Sequence, residues 1–209
     1  MPISHQYKII FIHIPKTAGT PIEYALGMHG DRHSVGVKPY IDQTWDEKFF
    51  FGNGLQHLRA IEIRRRIGKE KFDTYYKFSV IRNPYERLVS NFAWIGGKWA
   101  RQEYLTKKEF KQRVLEIDKT NYMKRKHLAP QYLFLFDENN TLLVDDIIRY
   151  ESFSEGIKKI ENKINIDMAL ERRMASYHYD YVSYYDSELI EIVNELYDLD
   201  FKLLSYEKK

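Results

Sequence analysis

The hexapeptide PKTAGT places one lysine, Lys16, among small and hydroxyl-bearing residues directly after an apolar run. That combination is what an anion cradle needs. Gly19 permits close backbone approach, successive N–H groups at a helix start point toward an anion, and Thr17 and Thr20 add hydroxyl donors. Lys16 brings a mobile full charge. Taken alone, the hexapeptide also fits a capped β–α turn whose lysine is solvated. It is not a Walker A loop, because the spacing G-x-x-x-x-G-K-[ST] is absent. A second stretch, FSVIRNPYERLVSNF, offers Arg82 at the end of another apolar run and Ser90 about two helical turns beyond Asn83. A guanidinium suits a terminal phosphate because its planar fork donates two parallel hydrogen bonds. The alternatives are an ion-paired arginine and a packed helix hydroxyl. Two anion loops together would hold a doubly phosphorylated ligand.

The flanking sequence supplies elements to position both loops. Tyr7 to Ile14 and Tyr75 to Ile81 are short, nearly continuous apolar runs, the pattern of strands buried on both faces of a parallel sheet. A helix is predicted from Pro21, with Thr20 as N-cap, Glu23 completing a capping box and Gly27 closing it. Another starts at Pro84, with Asn83 as cap and Glu86 completing a second box. Leu55 to Gly68 reads as helical after His57, with Ala60, Ile63 and Ile67 on one stripe and Gly68 as stop. Lys107 to Arg125 is a charge-laced helical region, YLFLFD and LLVDDIIRYE read as short strands, and SFSEGIKKIENKIN and Ser187 to Tyr197 read as amphipathic helices. Alternating strands and helices predict a three-layer α/β sandwich around a central, mainly parallel sheet. In such folds ligands bind beyond the carboxyl ends of the strands, where both loops lie.

Composition narrows the function classes. A chain of 209 residues, 44% hydrophobic and without repeat or linker, suits a single domain spanning 1–209. With 33 basic and 30 acidic residues, the formal charge of +3 is too balanced for a protein that coats nucleic acid or an anionic membrane. The absence of cysteine excludes disulfides and thiolate metal sites and fits a cytoplasmic location. No apolar run approaches the ~20 residues that span a bilayer, and no signal-peptide pattern opens the chain, so no integral membrane segment is expected.

HIPKTAGT resembles the 5′-phosphosulfate loop, and FSVIRNPYERLVSNF the 3′-phosphate loop, of sulfotransferases that use 3′-phosphoadenosine 5′-phosphosulfate (PAPS), specifically the carbohydrate group called sulfotransferase family 2. LQHLRAIEIRRRIG, HLAPQYLFLFD, LLVDDIIRYESFSEGI and YYDSELIEIVNELYDLDFKLLSY resemble its later segments in order, so the resemblance covers nearly the whole chain. It implies a P-loop-like sulfotransferase fold and transfer of a sulfuryl group from PAPS to a carbohydrate hydroxyl, with no metal. Members in eukaryotes carry an N-terminal Golgi anchor; without one, this chain is similar to a soluble bacterial member.

Carried over by position, the resemblance assigns Lys16 to the 5′-phosphate and bridging oxygen, with Pro15, Thr17, Ala18, Gly19 and Thr20 lining the phosphosulfate. It assigns Arg82 and Ser90 to the 3′-phosphate. His57 stands where related enzymes place a catalytic histidine, and imidazole titrates in the range a general base needs. Glu23 and His13 are weaker candidates for the base, and His127 and Gln131 are candidates for orienting acceptor or base. Trp45, Trp94 and Trp99 could stack on sugar faces, and Lys98, Arg101 and the run Arg64, Arg65, Arg66 could meet an acidic glycan; core packing and solvated faces are the plainer readings. The tyrosine-rich segment Tyr177 to Tyr185 fits a lid, a part of the nucleotide pocket or a packed loop. Two other functions fit the same cradle: a nucleotide or carbohydrate kinase, and a catalytically silent module binding 3′,5′-ADP (PAP) or a nucleic-acid end.

Overall fold

A computed structural model describes residues 3–28, 56–95, 101–170 and 177–209. The described residues fall into two compact units, one lying within Met1–Ile14, Ala18–Ile81 and Phe134–Glu171, the other within Pro15–Thr17, Arg82–Leu133 and Arg172–Lys209.

The first unit is built on a four-stranded sheet of β1 (Ile3–Ser4), β2 (Ile9–Ile12), β3 (Tyr76–Ile81) and β4 (Asp146–Arg149), in the order β1-β2-β3-β4. The last three run parallel, with Phe11 opposite Phe78 and Val80 opposite Ile148, while the two-residue β1 adds antiparallel at the edge. All four residues of β2 are buried, as its unbroken apolar sequence predicts. Four helices belong here: α1 (Gly19–Ala25), α2 (Ala60–Ile67), α3 (Lys69–Thr74) and the later α7 (Phe153–Ile164). Phe11, Phe78, Val80 and Ile148 form one core cluster with Ile22 of α1, with Leu26 just after it, and with Ile157 and Ile160 of α7. Gly156 lets α7 approach β4, because a Cβ there would lie 2.4 Å from Ile148 Cγ2.

The second unit is helical: α4 (Pro84–Trp94), α5 (Lys107–Leu115), α8 (Ser187–Leu196) and α9 (Asp198–Leu203). Tyr85, Leu88, Val89 and Phe92 of α4 pack in one core with Phe110 and Val114 of α5 and with Leu189, Val193, Tyr197 and Phe201. Three of its phenols find backbone acceptors: Tyr184 donates to Leu105 O at 2.7 Å, Tyr185 to Tyr85 O at 2.8 Å and Tyr197 to Leu128 O at 2.9 Å. Tyr184 and Tyr185 therefore belong to packing, whereas Tyr179 is exposed.

Three expectations need correction. The segment YLFLFD forms a helical turn, α6 (Tyr132–Leu135), where a strand is predicted. Its start is capped from far along the chain, since the Asp200 carboxylate accepts from the backbone N–H groups of Gln131 (2.9 Å) and Tyr132 (2.8 Å). Helix α1 starts at Gly19, not Pro21, with Ala18 rather than Thr20 at the N-cap. Glu23 serves other partners than a capping box, described below. The C-terminus of α1 follows expectation, because Gly27 at φ 65° gives its N–H to Tyr24 O while Met28 N donates to Glu23 O. Lys107 to Arg125 holds the nine-residue α5, capped by Thr106 and Glu109, and a 3-10 turn at Tyr122–Lys124. No helix among the described residues is long and apolar enough to cross a membrane.

Candidate active site

In the helical unit the backbone of the lysine loop is held by two arginines from the start of α4. Arg87, 2% exposed, donates from Nε to Pro15 O at 3.1 Å and from a terminal nitrogen to Ala129 O at 2.8 Å. Arg82 donates to Lys16 O at 3.2 Å and pairs with Glu86 at 2.8 Å. Glu86, expected to complete a capping box, thus balances the guanidinium, while Asn83 does cap α4 by accepting from Tyr85 N. Gln131 clips the backbone of Arg82 on both sides, accepting from its N–H at 2.9 Å and donating to its carbonyl at 2.7 Å. Behind Gln131 stands Asp200, whose pKa burial pushes up to about 6, against the pull of Arg87 and the N–H groups it accepts.

Lys16 itself adopts left-handed backbone at φ 69°, a conformation that costs a non-glycine residue about 1 kcal/mol. Such strain held by several hydrogen bonds is typical of functional loops. Burial, and then the charge of Arg82, lower the Lys16 pKa to about 7. Near neutral pH the amine is therefore poised between its two forms, and an anion placed beside it would draw a proton on. His178 lies in the same electrostatic field: its Nδ1 donates to Tyr179 O at 2.8 Å, burial lowers its pKa, and Arg82 and Lys16 lower it further. Ser90 is buried on α4, one turn past Glu86.

In the sheet unit the loop continues through Ala18, also left-handed at φ 64°, into Gly19 and Thr20. Gly19 is required here by a side chain: a Cβ would meet His13 Cδ2 at 2.4 Å and Phe11 Cε1 at 2.8 Å. His13 donates from Nδ1 to Glu23 at 2.9 Å, and the other Glu23 oxygen accepts from Gln56 at 2.7 Å. The His13 carbonyl accepts from His57 Nδ1 at 2.8 Å. A carbonyl can only accept, so Nδ1 of His57 carries hydrogen and the neutral ring keeps its lone pair on Nε2. That is the tautomer a general base needs. Glu23 and His13 thus orient neighbours, with Glu23 fixing the His13 ring and His13 fixing His57. Gly19→Ala should lower stability by about 1–3 kcal/mol, since both packed rings would have to shift, and a drop in the urea midpoint would register it.

Of the other predicted residues, His127 stacks on Trp94, while Gln131 fixes Arg82. Arg101 pairs with Glu103, and Arg64, Arg65 and Arg66 lie in the last turn of α2. Trp45, Lys98 and Trp99 lie outside the described residues. Sequence reasoning missed Arg87, Asp200 and Gln56. All three act through partners distant in sequence.

The sequence profile of the Sulfotransferase family matches residues 1–207. The chain belongs to the sulfotransferase family. Its mixed α/β architecture agrees with that membership, which makes it a transferase whose family chemistry is sulfuryl transfer. An uncharacterized protein of Archaeoglobus fulgidus is 32% identical over 117 residues, covering 56% of this chain and 90% of its own length. No solved structure matches this sulfotransferase-family chain.

Proposed function

We propose that the chain acts as one sulfotransferase domain over residues 1–209, with a P-loop-like three-layer arrangement, moving the sulfuryl group of PAPS to a carbohydrate hydroxyl. The observation that carries the donor assignment is the lysine loop. Lys16, with its pKa lowered to about 7, is held through its own carbonyl by a second cation, Arg82. Two cations brought together under cover make a prepared anion site. Lys16 would neutralise the bridging oxygen as it gains charge, with Pro15, Thr17, Ala18, Gly19 and Thr20 lining the phosphosulfate, and Arg82 and Ser90 would hold the 3′-phosphate. In the transfer the acceptor oxygen attacks sulfur in line and its proton passes to His57 Nε2. The sulfur–oxygen bond to the 5′-phosphate breaks, its electron pair stays on the bridging oxygen, and PAP leaves. The carbohydrate acceptor is inferred from the family group that the motifs resemble.

Calorimetric titration with PAP, ADP and ATP, with and without magnesium, tests the donor without knowledge of the acceptor. Preference for PAP over ADP without metal is the expected result, and preference for Mg-ATP would favour a kinase instead. Arg82→Ala should weaken PAP binding by about 10- to 100-fold and leave ADP far less affected, because a lost charged hydrogen bond is worth about 1.5–3 kcal/mol. Equal losses for PAP and ADP would remove Arg82 from the 3′-phosphate.

A further inference from the structure

The Lys16 side chain extends over an aromatic surface that the donor reading does not use. Its Nζ lies 5.1 Å from the centroid of the Trp94 ring, at the last residue of α4. The indole is itself held, stacking on His127 with centroids 5.1 Å apart and planes 8° from parallel. His127 Nδ1 donates to Asn91 Oδ1 at 3.2 Å, one turn back along α4. The backbone around His127 is tied in as well, since Arg87 donates to Ala129 O and reaches His127 O at 3.4 Å. The same Arg87 holds Pro15 O, the carbonyl preceding Lys16. Arg87 thus anchors both ends of a chain that runs from the loop backbone through His127 and Trp94 to the ammonium.

We propose that Trp94 is a positioning residue for Lys16, its indole face, locked by His127, holding the ammonium in place and favouring the charged amine. The negative face of an aromatic ring attracts a cation, and Trp does so most strongly of the aromatic side chains. Here that attraction opposes burial and the repulsion from Arg82, the two causes that lower the Lys16 pKa. Among the described residues, the charged or titratable groups around the amine include Arg82, its partner Glu86, His178 and, behind the indole, His127. What Lys16 does in transfer rests on the proposed function above; where it is held does not.

The test follows PAP binding by calorimetry in the full-length protein from about pH 5.5 to 8.5, in wild type, Trp94→Leu and Trp94→Phe. Loss of an attraction equivalent to about one pH unit should weaken PAP binding by Trp94→Leu about tenfold at the alkaline end and less than about twofold at the acid end. Trp94→Phe should fall between. The titration of the phosphates themselves is common to all three proteins and cancels in the ratio. A loss equal at every pH would make Trp94 a packing residue and overturn the proposal. A second readout needs no ligand: NMR of reductively 13C-methylated protein, with the Lys16 signal assigned by its absence in Lys16→Arg. The Lys16 midpoint should fall from about 7 in wild type by about one pH unit in Trp94→Leu. Unchanged midpoints overturn the proposal, even if wild type binds no PAP and the donor reading has failed. Should Trp94→Leu not fold, Trp94→Phe decides by the same two readouts.

Discussion

Lys16→Ala is expected to reduce kcat/KM for sulfuryl transfer from PAPS by about 1,000-fold. Charge develops on the bridging oxygen as its bond to sulfur lengthens, and removing one well-placed donor from such a position costs about 3–4 kcal/mol of transition-state stabilisation. In the proposed role the lysine would draw on a backbone that two arginines hold in left-handed conformation and on a pKa lowered to about 7. Activity should therefore decline as pH rises above about 7, where Lys16 loses its proton, and Lys16→Arg should abolish that alkaline limb even if it transfers slowly. Near-normal turnover by Lys16→Ala in steady-state assays would remove Lys16 from the leaving-group role. A loss of fold does not provide an escape. The folded-state pKa of Lys16 is lowered from 10.5 to about 7, so between those values the unfolded chain binds more protons and stability rises with pH. At neutral pH and below, the folded protein carries the full penalty of a buried ammonium, and alanine removes it. Urea midpoints of Lys16→Ala should accordingly equal or exceed those of wild type at pH 7, with a flatter rise toward alkaline pH.

His57→Ala is expected to lower kcat at saturating acceptor by about 100- to 10,000-fold, the range that a positioned general base contributes. With Nδ1 donating to the His13 carbonyl at 2.8 Å, the neutral ring presents its lone pair at Nε2. The ring also packs edge-on against His13, centroids 4.5 Å apart, and His13 is fixed by Glu23 and Gln56. Substitution by alanine should leave PAP binding within about twofold of wild type while the rate at saturating acceptor falls. Retention of most of the rate would assign the base elsewhere. Equal loss of PAP affinity would mean that His57 serves the donor.

Much of this architecture is legible from residue order. The apolar runs that became β2, β3 and β4, the Asn83-Pro84 start of α4, the Gly27 stop of α1 and the amphipathic α7 and α8 each depend on local propensity and periodicity, which a short window contains. The motifs PKTAGT and RNPYERLVS likewise pointed to Lys16, Arg82 and Ser90 through their residue types and family order, and the family membership spans residues 1–207.

Tertiary structure decided the rest wherever a group's partner is remote in the chain. YLFLFD reads as a short strand, yet the N–H groups of Gln131 and Tyr132 are satisfied by Asp200, about 70 residues onward, and the segment turns as a helix. Thr20 and Glu23 spell a capping box, but Glu23 finds His13 and Gln56, and the helix begins one residue after a left-handed Ala18. Gly19 was legible as a residue that permits close backbone approach; that it also makes room for the His13 ring is set by the fold. Arg87 looked like one charge on a helix, and only burial among the carbonyls of Pro15, His127 and Ala129 made it the staple of the lysine loop. Residue order set which groups were present and which local elements they favoured. Three-dimensional packing set their tautomers, pKa values and hydrogen-bond partners, because those depend on desolvation and on neighbours that no sequence window contains.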